Sequence, residues 1–155
     1  MPKLSAGLLL YRNAADGLEV LIAHPGGPFW ARKDDGAWSI PKGEYDVGDD
    51  PWEQAQREFT EELGLAPPDG PRAELGQVRQ GSGKIVTAFA VDGDLDVTDA
   101  RSNTFEMEWP PRSGKMQTFP EVDRVAWVPI EVARAKLLKG QLPILDRLVD
   151  HLGRP

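Results

Sequence analysis

The sequence predicts an α+β fold, or mixed α/β sandwich, in which helices cover a mixed β-sheet. Segments of strand length occur near the start of the chain and again in its second half. One strongly amphipathic helical segment separates these two groups, and further helical segments follow the last strand. The 155 residues fit one domain, residues 1–155, and the sequence contains no repeat, low-complexity tract or linker that would divide it.

The first part of the chain is predicted to contain three strands. Residues 4–11 are apolar, as is typical of a buried strand, and residues 19–24 form a second strand after a turn over residues 13–17. A hairpin is therefore expected. Residues 24–36 are rich in glycine and proline and are predicted to form a long loop, and residues 38–40 a short strand that ends at a proline.

The amphipathic segment has the start and stop signals of a helix. Asp50 can cap the first turn, Pro51 fits the first helical position, and Gly64 is a natural stop. The apolar residues between them recur every three or four positions and are predicted to face the core. They are Trp52, Ala55, Phe59 and Leu63.

The second half is predicted to form four strands and then two helices. The first two strands alternate and are joined by a glycine turn at residues 81–83, and a proline starts the first of the two helices. The strands cover residues 74–80, 84–91, 104–109 and 124–128, and the helices cover residues 129–139 and 144–152.

The negative charge of the chain is concentrated in residues 43–65. The whole sequence has 25 acidic and 18 basic residues, a net charge of −7. Residues 43–65 contain eight acids and one base, which leaves 17 of each elsewhere, so the excess lies entirely in this segment. Carboxylates crowd in this way where a cation relieves their repulsion, or where water solvates them.

Composition excludes several kinds of site. Without cysteine there are no disulfides, zinc–thiolate sites or cysteine nucleophiles, and two histidines do not favour a multi-histidine metal site. We find no signal peptide and no apolar run of membrane-spanning length, so a cytoplasmic location and no membrane partner are expected. The net charge of −7 disfavours nucleic acid as a partner.

Three glutamates of the predicted helix can converge on one point. Glu58 and Glu61 are three residues apart, Glu58 and Glu62 are four apart, and all three lie off the apolar stripe. Arg57 can pair with Glu61 one turn later. Carboxylates without histidine or cysteine suit Mg²⁺, or Mn²⁺, and such ions serve in phosphoanhydride hydrolysis. A solvated helix face is the alternative interpretation.

The full spacing of this segment resembles the Nudix box. Gly43 is followed by five residues, an acid, seven residues and then the run REFTEELGL, so that every fixed position matches except Asp49, where glutamate is usual. The resemblance implies the Nudix α/β/α sandwich. It also implies a Mg²⁺-dependent hydrolase of nucleoside diphosphates linked to another moiety.

The resemblance also implies roles for individual residues. Glu58, Glu61, Glu62 and the backbone carbonyl of Gly43 would hold the metal, and Arg57 would orient the glutamates. Asp49 would support the loop before the helix.

The general base is left open, because either a box glutamate or a glutamate from a later loop can act in this family. Glu121 is the leading later-loop residue, ahead of Glu106 and Glu108, although a solvated carboxylate is the alternative for each.

The residues before the box point towards a substrate class. Residues 38–43 read W-x-x-P-K-G, which resembles the entry of Nudix enzymes that cleave diadenosine polyphosphates or diphosphoinositol polyphosphates. Lys42 would then meet a phosphate oxygen, and an ordinary loop lysine is the alternative. The predicted substrate-binding residues are Lys42, Trp38, Trp30, Arg32 and Arg112.

The favoured activity is hydrolysis of a dinucleoside polyphosphate such as diadenosine tetraphosphate. A nucleoside triphosphate, ADP-ribose or another nucleotide sugar, and an inositol pyrophosphate are the alternative substrates. A regulatory Nudix-fold module without catalysis ranks below these, because all three box glutamates are present. A monomer or a homodimer is expected.

Overall fold

A computed structural model describes residues 3–153, so that residues 1, 2, 154 and 155 of the predicted domain lie outside the described part. The elements follow the order β1–β3, α1, β4–β8, α2, a short 3₁₀ turn and α3. The strands are β1 Leu4–Ala14, β2 Gly17–Pro25, β3 Lys42–Tyr45, β4 Arg72–Arg79, β5 Ile85–Asp92, β6 Thr104–Glu108, β7 Met116–Pro120 and β8 Val122–Pro129. The helices are α1 Pro51–Leu63, α2 Ile130–Lys136 and α3 Leu142–His151, and the 3₁₀ turn is Lys139–Gln141.

Strand β1 lies at the centre of a six-stranded mixed sheet of order β4-β5-β1-β2-β8. On one edge it pairs in parallel with β5. On the other edge its first half pairs with β3 and its second half with β2, both antiparallel. Because β2 leaves β1 to pair with β8, the sheet divides between β3 and β2. Residues 38–41 occupy this division, with hydrogen bonds from Leu8 N–H to the Pro41 carbonyl and from Ala23 N–H to the Ser39 carbonyl.

The alternation of β1 side chains produces two cores. Ala6, Leu8 and Leu10 pack on the face covered by α1, together with Phe59 and Leu63 of that helix. Leu9 and Tyr11 point to the opposite face, where α2 and α3 cover the sheet. Helices therefore lie on both faces of a mixed sheet, which confirms the predicted fold class. No helix within residues 3–153 is long and apolar enough to cross a bilayer.

The local predictions fail where pairing with a distant segment decides the structure. The predicted strand over residues 38–40 is wrong, because Trp38 and Ser39 form only isolated bridges. The strand lies later, at Lys42–Tyr45, where two charged residues and a glycine gave no strand pattern. The helix predicted over residues 129–139 ends at Lys136, because Leu137 is extended.

A second sheet stands apart from the first. β6 and β7 form a two-stranded hairpin, paired from Thr104↔Pro120 to Glu108↔Met116. The extended segment predicted over residues 104–109 is thereby confirmed. β7 was missed, because it is mostly exposed and lacks an apolar alternation.

Candidate functional site

The ends of α1 are fixed by the residues that the sequence indicates. The Asp50 side chain accepts a hydrogen bond from Trp52 N–H at 3.1 Å. Gly64 takes a left-handed conformation, with φ 70°, and its N–H donates to the Thr60 carbonyl. With Ala55, Phe59 and Leu63 buried, the three glutamates lie beside the core.

The C-terminal turn of α1 is tied to the segment that carries Glu121. Arg101 N–H donates to the Leu63 carbonyl at 2.7 Å, and Asn103 N–H donates to the Glu61 carbonyl at 2.9 Å. These bonds satisfy carbonyls that a helix end leaves free. Glu121 N–H then donates to the Asn103 carbonyl at 2.8 Å. This connection places Glu121 close to Glu58 and Glu62. Burial is the largest cause of the raised pKa of each glutamate, a neighbouring glutamate is the second, and the charge of Glu121 makes a smaller contribution.

Gly43 of β3 lies directly against the Glu58 carboxyl group. A Cβ atom at position 43 would lie 2.0 Å from Glu58 Cδ and 2.3 Å from each carboxylate oxygen. A side chain at this position would therefore displace the carboxylate. Position 43 therefore requires glycine, because there is no room for a Cβ atom beside the Glu58 carboxyl group.

Burial and repulsion both favour the protonated form of the glutamates. Burial raises the pKa of Glu62 to about 8, and the charge of Glu58 adds to this shift. The Lys42 N–H and ammonium group oppose it. Burial also raises the pKa of Glu58, assisted by Glu61. Lys42 has a lowered pKa, because it is buried and faces Lys84.

The metal-free protein should lose stability as pH rises from about 4.5 to about 8. In this range folded Glu62 keeps a proton that the unfolded chain has released, so the free energy of unfolding falls with pH. Glu62→Gln removes this dependence. In EDTA, its melting temperature should exceed that of the wild type by roughly 3 °C or more at pH 8.5 and by less at pH 5.5.

Differential scanning calorimetry across this pH range measures the effect. Glu53→Gln, an exposed position in the first turn of the same helix, is the matched control. A difference between Glu62→Gln and the wild type that stays constant with pH contradicts the expectation.

The donor set fits a hard divalent cation. Glu58, Glu61 and Glu62 offer carboxylate oxygens, and the Gly43 backbone lies against Glu58. After burial, repulsion between these glutamates raises the pKa of Glu58 and of Glu62, and a cation would relieve that repulsion. Among residues 3–153, no three acidic or histidine side chains already form a closed cage. Mg²⁺ does not need such a cage, since it keeps several waters and binds few carboxylates together with substrate phosphates.

A cavity of about 210 Å³ opens beside Glu62, where the sheet divides. Glu62, Lys42, Glu121 and Trp30 are among the residues that line it. Its remaining lining comes from β2, β8 and the segments around Ala37 and Leu138. The cavity thus brings together four residues that the sequence analysis selected separately.

Trp38, which the sequence predicts as a substrate-binding residue, does not line this cavity. The side chain is 4% exposed, and its Nε1–H donates to Asp34 Oδ1 at 2.7 Å. Its ring meets buried His24 edge-on, with the centroids 5.2 Å apart. The indole is a core residue, and the W-x-x-P-K-G pattern carries no information about its exposure.

Arg57 also departs from the prediction. Its guanidinium turns back to Gln54 Oε1 at 3.2 Å instead of forward to Glu61. Long helical side chains lean towards the N-terminus, which favours this direction.

The other selected residues lie away from the cavity wall. Arg32, Arg112, Glu106 and Glu108 are exposed, and Glu108 accepts a hydrogen bond from Arg112 N–H at 2.7 Å.

Sequence reasoning missed Gln54. Its Nε2 donates to Glu58 Oε1 at 2.9 Å. The spacing of four residues between Gln54 and Glu58 was the available signal.

A mixed sheet lies between helices, and the helix that carries the three glutamates stands beside a cavity. The sequence matches the NUDIX domain over residues 1–148. The chain belongs to the NUDIX family and is a Nudix-type pyrophosphohydrolase.

Several known proteins resemble the chain over almost its whole length. An RNA pyrophosphohydrolase of Rhodospirillum rubrum is 29% identical over 171 residues, covering 98% of this chain and 93% of that protein. A C. elegans Ap4A hydrolase in a binary complex shares the fold, with TM-score 0.64 at 20% identity, covering 96% and 98% of the two chains. The NUDIX domain of Shewanella oneidensis NrtR, complexed with ADP ribose, has TM-score 0.66 at 18% identity, covering 98% and 89%.

Proposed function

We propose that the protein is a Mg²⁺-dependent hydrolase of dinucleoside polyphosphates such as diadenosine tetraphosphate. The observation that carries this proposal is the shared cavity, where Lys42, Trp30 and Glu121 surround the space next to Glu62. A cation, an aromatic ring and a carboxylate are what a nucleotide polyphosphate and an attacking water require. The W-x-x-P-K-G entry at residues 38–43 favours substrates with a phosphate bridge.

Glu58, Glu61, Glu62 and the Gly43 carbonyl would hold the metal. When bound, Mg²⁺ neutralises phosphate charge and positions the leaving group. Mn²⁺ satisfies the same oxygen donors.

Glu121 is the residue we propose as general base, because it lines the same cavity as Glu62. Its carboxylate would take a proton from the water that attacks phosphorus. The backbone on both sides of this side chain is fixed, with the Glu121 N–H donating to Asn103 and its carbonyl accepting from Gly26 N–H at 2.9 Å. These bonds fix the position of the Glu121 backbone at the cavity before the substrate binds.

Lys42 and Trp30 would bind the substrate. The buried Lys42 ammonium lies among carboxylates, where a phosphate oxygen would add a further anionic partner. Trp30 presents a ring that can stack on a base, with Lys33 Nζ 5.1 Å from the ring centroid on the same loop. Arg32 and Arg112 would contact outer phosphates only if their loops close over the substrate.

A product assay with a panel of nucleotides tests the substrate class. With Mg²⁺, diadenosine tetraphosphate should give ATP and AMP, at a specificity constant at least about tenfold above those for ADP-ribose, nucleoside triphosphates and inositol pyrophosphates. Reaction in ¹⁸O-labelled water, followed by mass spectrometry, identifies which product received the attacking oxygen. Inertness towards every dinucleotide, with turnover of another panel member, contradicts the substrate assignment and leaves the enzyme class intact.

The relative from Rhodospirillum rubrum favours a second candidate, a pyrophosphate carried by RNA. The net charge of −7 weighs against a long contact with an RNA backbone. A short RNA with a 5′-triphosphate therefore belongs in the same panel. Release of pyrophosphate from that RNA, faster than cleavage of the dinucleotide, would favour this second function.

A further inference from the structure

The Gln54 side chain connects Arg57 with Glu58. Its Nε2 donates to Glu58 Oε1 at 2.9 Å, and its Oε1 accepts from Arg57 Nη1 at 3.2 Å. Gln54 is half-buried, whereas Arg57 is exposed on the same helix. The amide thus lies between a cation at the surface and a carboxylate at the site.

An amide suits this position because it has a donor and an acceptor at the end of one side chain. The donor faces the negatively charged glutamate and the acceptor faces the positively charged arginine, so both bonds are charge-assisted. Asp49 takes no part in this contact, since its Oδ2 accepts from Asp46 N–H at 3.3 Å in the loop before the helix.

We propose that Gln54 is a positioning residue, which orients the Glu58 carboxylate and transmits to it the influence of Arg57. This inference rests on the proposed function of Glu58 as a metal ligand. The bond restricts rotation of the carboxyl group against Gly43.

Removal of the amide should therefore weaken cation binding in the absence of substrate. Gln54→Met keeps the length and loses both hydrogen bonds, and Mn²⁺ affinity measured by electron paramagnetic resonance should fall about tenfold. Gln56→Met is the matched control, because its amide donates only to the Trp52 carbonyl at 3.4 Å, and it should bind Mn²⁺ as the wild type does. Gln54→Asn, whose amide is one methylene shorter, is a second variant that repeats the test if the methionine variant does not fold.

A double-mutant cycle tests the transmission from Arg57. If Arg57 acts through Gln54, Arg57→Met weakens Mn²⁺ binding in the wild type but adds nothing to Gln54→Met. In the metal-free protein, Arg57→Met should also shift the side-chain amide resonance of Gln54 in ¹H–¹⁵N spectra.

The outcomes separate this inference from the proposed function. Additive effects of the two substitutions, or wild-type Mn²⁺ affinity in the Gln54 variants while Glu58→Gln binds weakly, overturn the positioning role alone. Unchanged affinity in Glu58→Gln overturns the metal role, and the positioning role with it.

Discussion

Glu58→Gln is expected to lower Mg²⁺-dependent turnover by about a thousandfold. This loss corresponds to roughly 4 kcal/mol of transition-state stabilisation, the scale that a correctly placed metal supplies to phosphoryl chemistry. The carboxylate faces the Gly43 backbone and neighbours Glu61 and Glu62, so an amide removes one negative charge from the proposed metal site without changing volume. Steady-state rates at saturating Mg²⁺, with the best substrate of the panel, measure the effect.

The fold should survive this change. The substitution removes one charge from a face where Glu58, Glu61 and Glu62 repel one another, so the melting temperature in EDTA should stay the same or rise slightly. Glu53→Gln, exposed in the first turn of α1, controls for the loss of a carboxylate and should keep wild-type turnover. Turnover of Glu58→Gln within tenfold of the wild type would refute the metal assignment.

The helix of this site could be predicted in detail because its signals are local. The cap at Asp50, the stop at Gly64 and the stripe formed by Ala55, Phe59 and Leu63 all lie within one segment, and the structure reproduces them. The same periodicity placed the glutamates off the buried stripe. Local sequence determines which side of a helix is apolar, and here that was enough to locate the carboxylates.

The walls of the cavity could not be predicted in the same way, because they come from distant segments. Glu121 is held near the helix because its N–H donates to the Asn103 carbonyl, while the N–H groups of Arg101 and Asn103 donate to carbonyls of the helix. No local sequence pattern predicts these bonds. The burial of Trp38 could not be predicted, because it depends on His24 and Asp34, and on the division of the sheet between β3 and β2. Arg57 was paired with the wrong neighbour because Glu61 and Gln54 both lie within one turn, and spacing alone does not choose between them.

Gly43→Ala should abolish most of the activity while leaving the fold in place. The new Cβ would lie 2.0 Å from Glu58 Cδ, so either β3 or the carboxylate must move. The Glu58 carboxylate moves more easily than the strand, and its displacement by about 1 Å is expected to lower turnover about a hundredfold. The free energy of unfolding should change by less than about 1 kcal/mol, because alanine also restricts the unfolded chain.

Gly81→Ala is the matched control for this experiment, since a Cβ at position 81 meets nothing within 4 Å. Both variants add one methyl group at a glycine without a left-handed φ, so a general effect of the added methyl would appear in both. Chemical denaturation measures the stability of each variant, and Mn²⁺ affinity and turnover report on the site.

If Gly43→Ala lost stability and activity together, strand β3 would have moved. If it kept full turnover, the contact between Gly43 and Glu58 would have no part in holding the metal-binding carboxylate. Loss of turnover and Mn²⁺ affinity with retained stability is the result that the 2.0 Å approach predicts, because the far end of a side chain moves more easily than a paired strand.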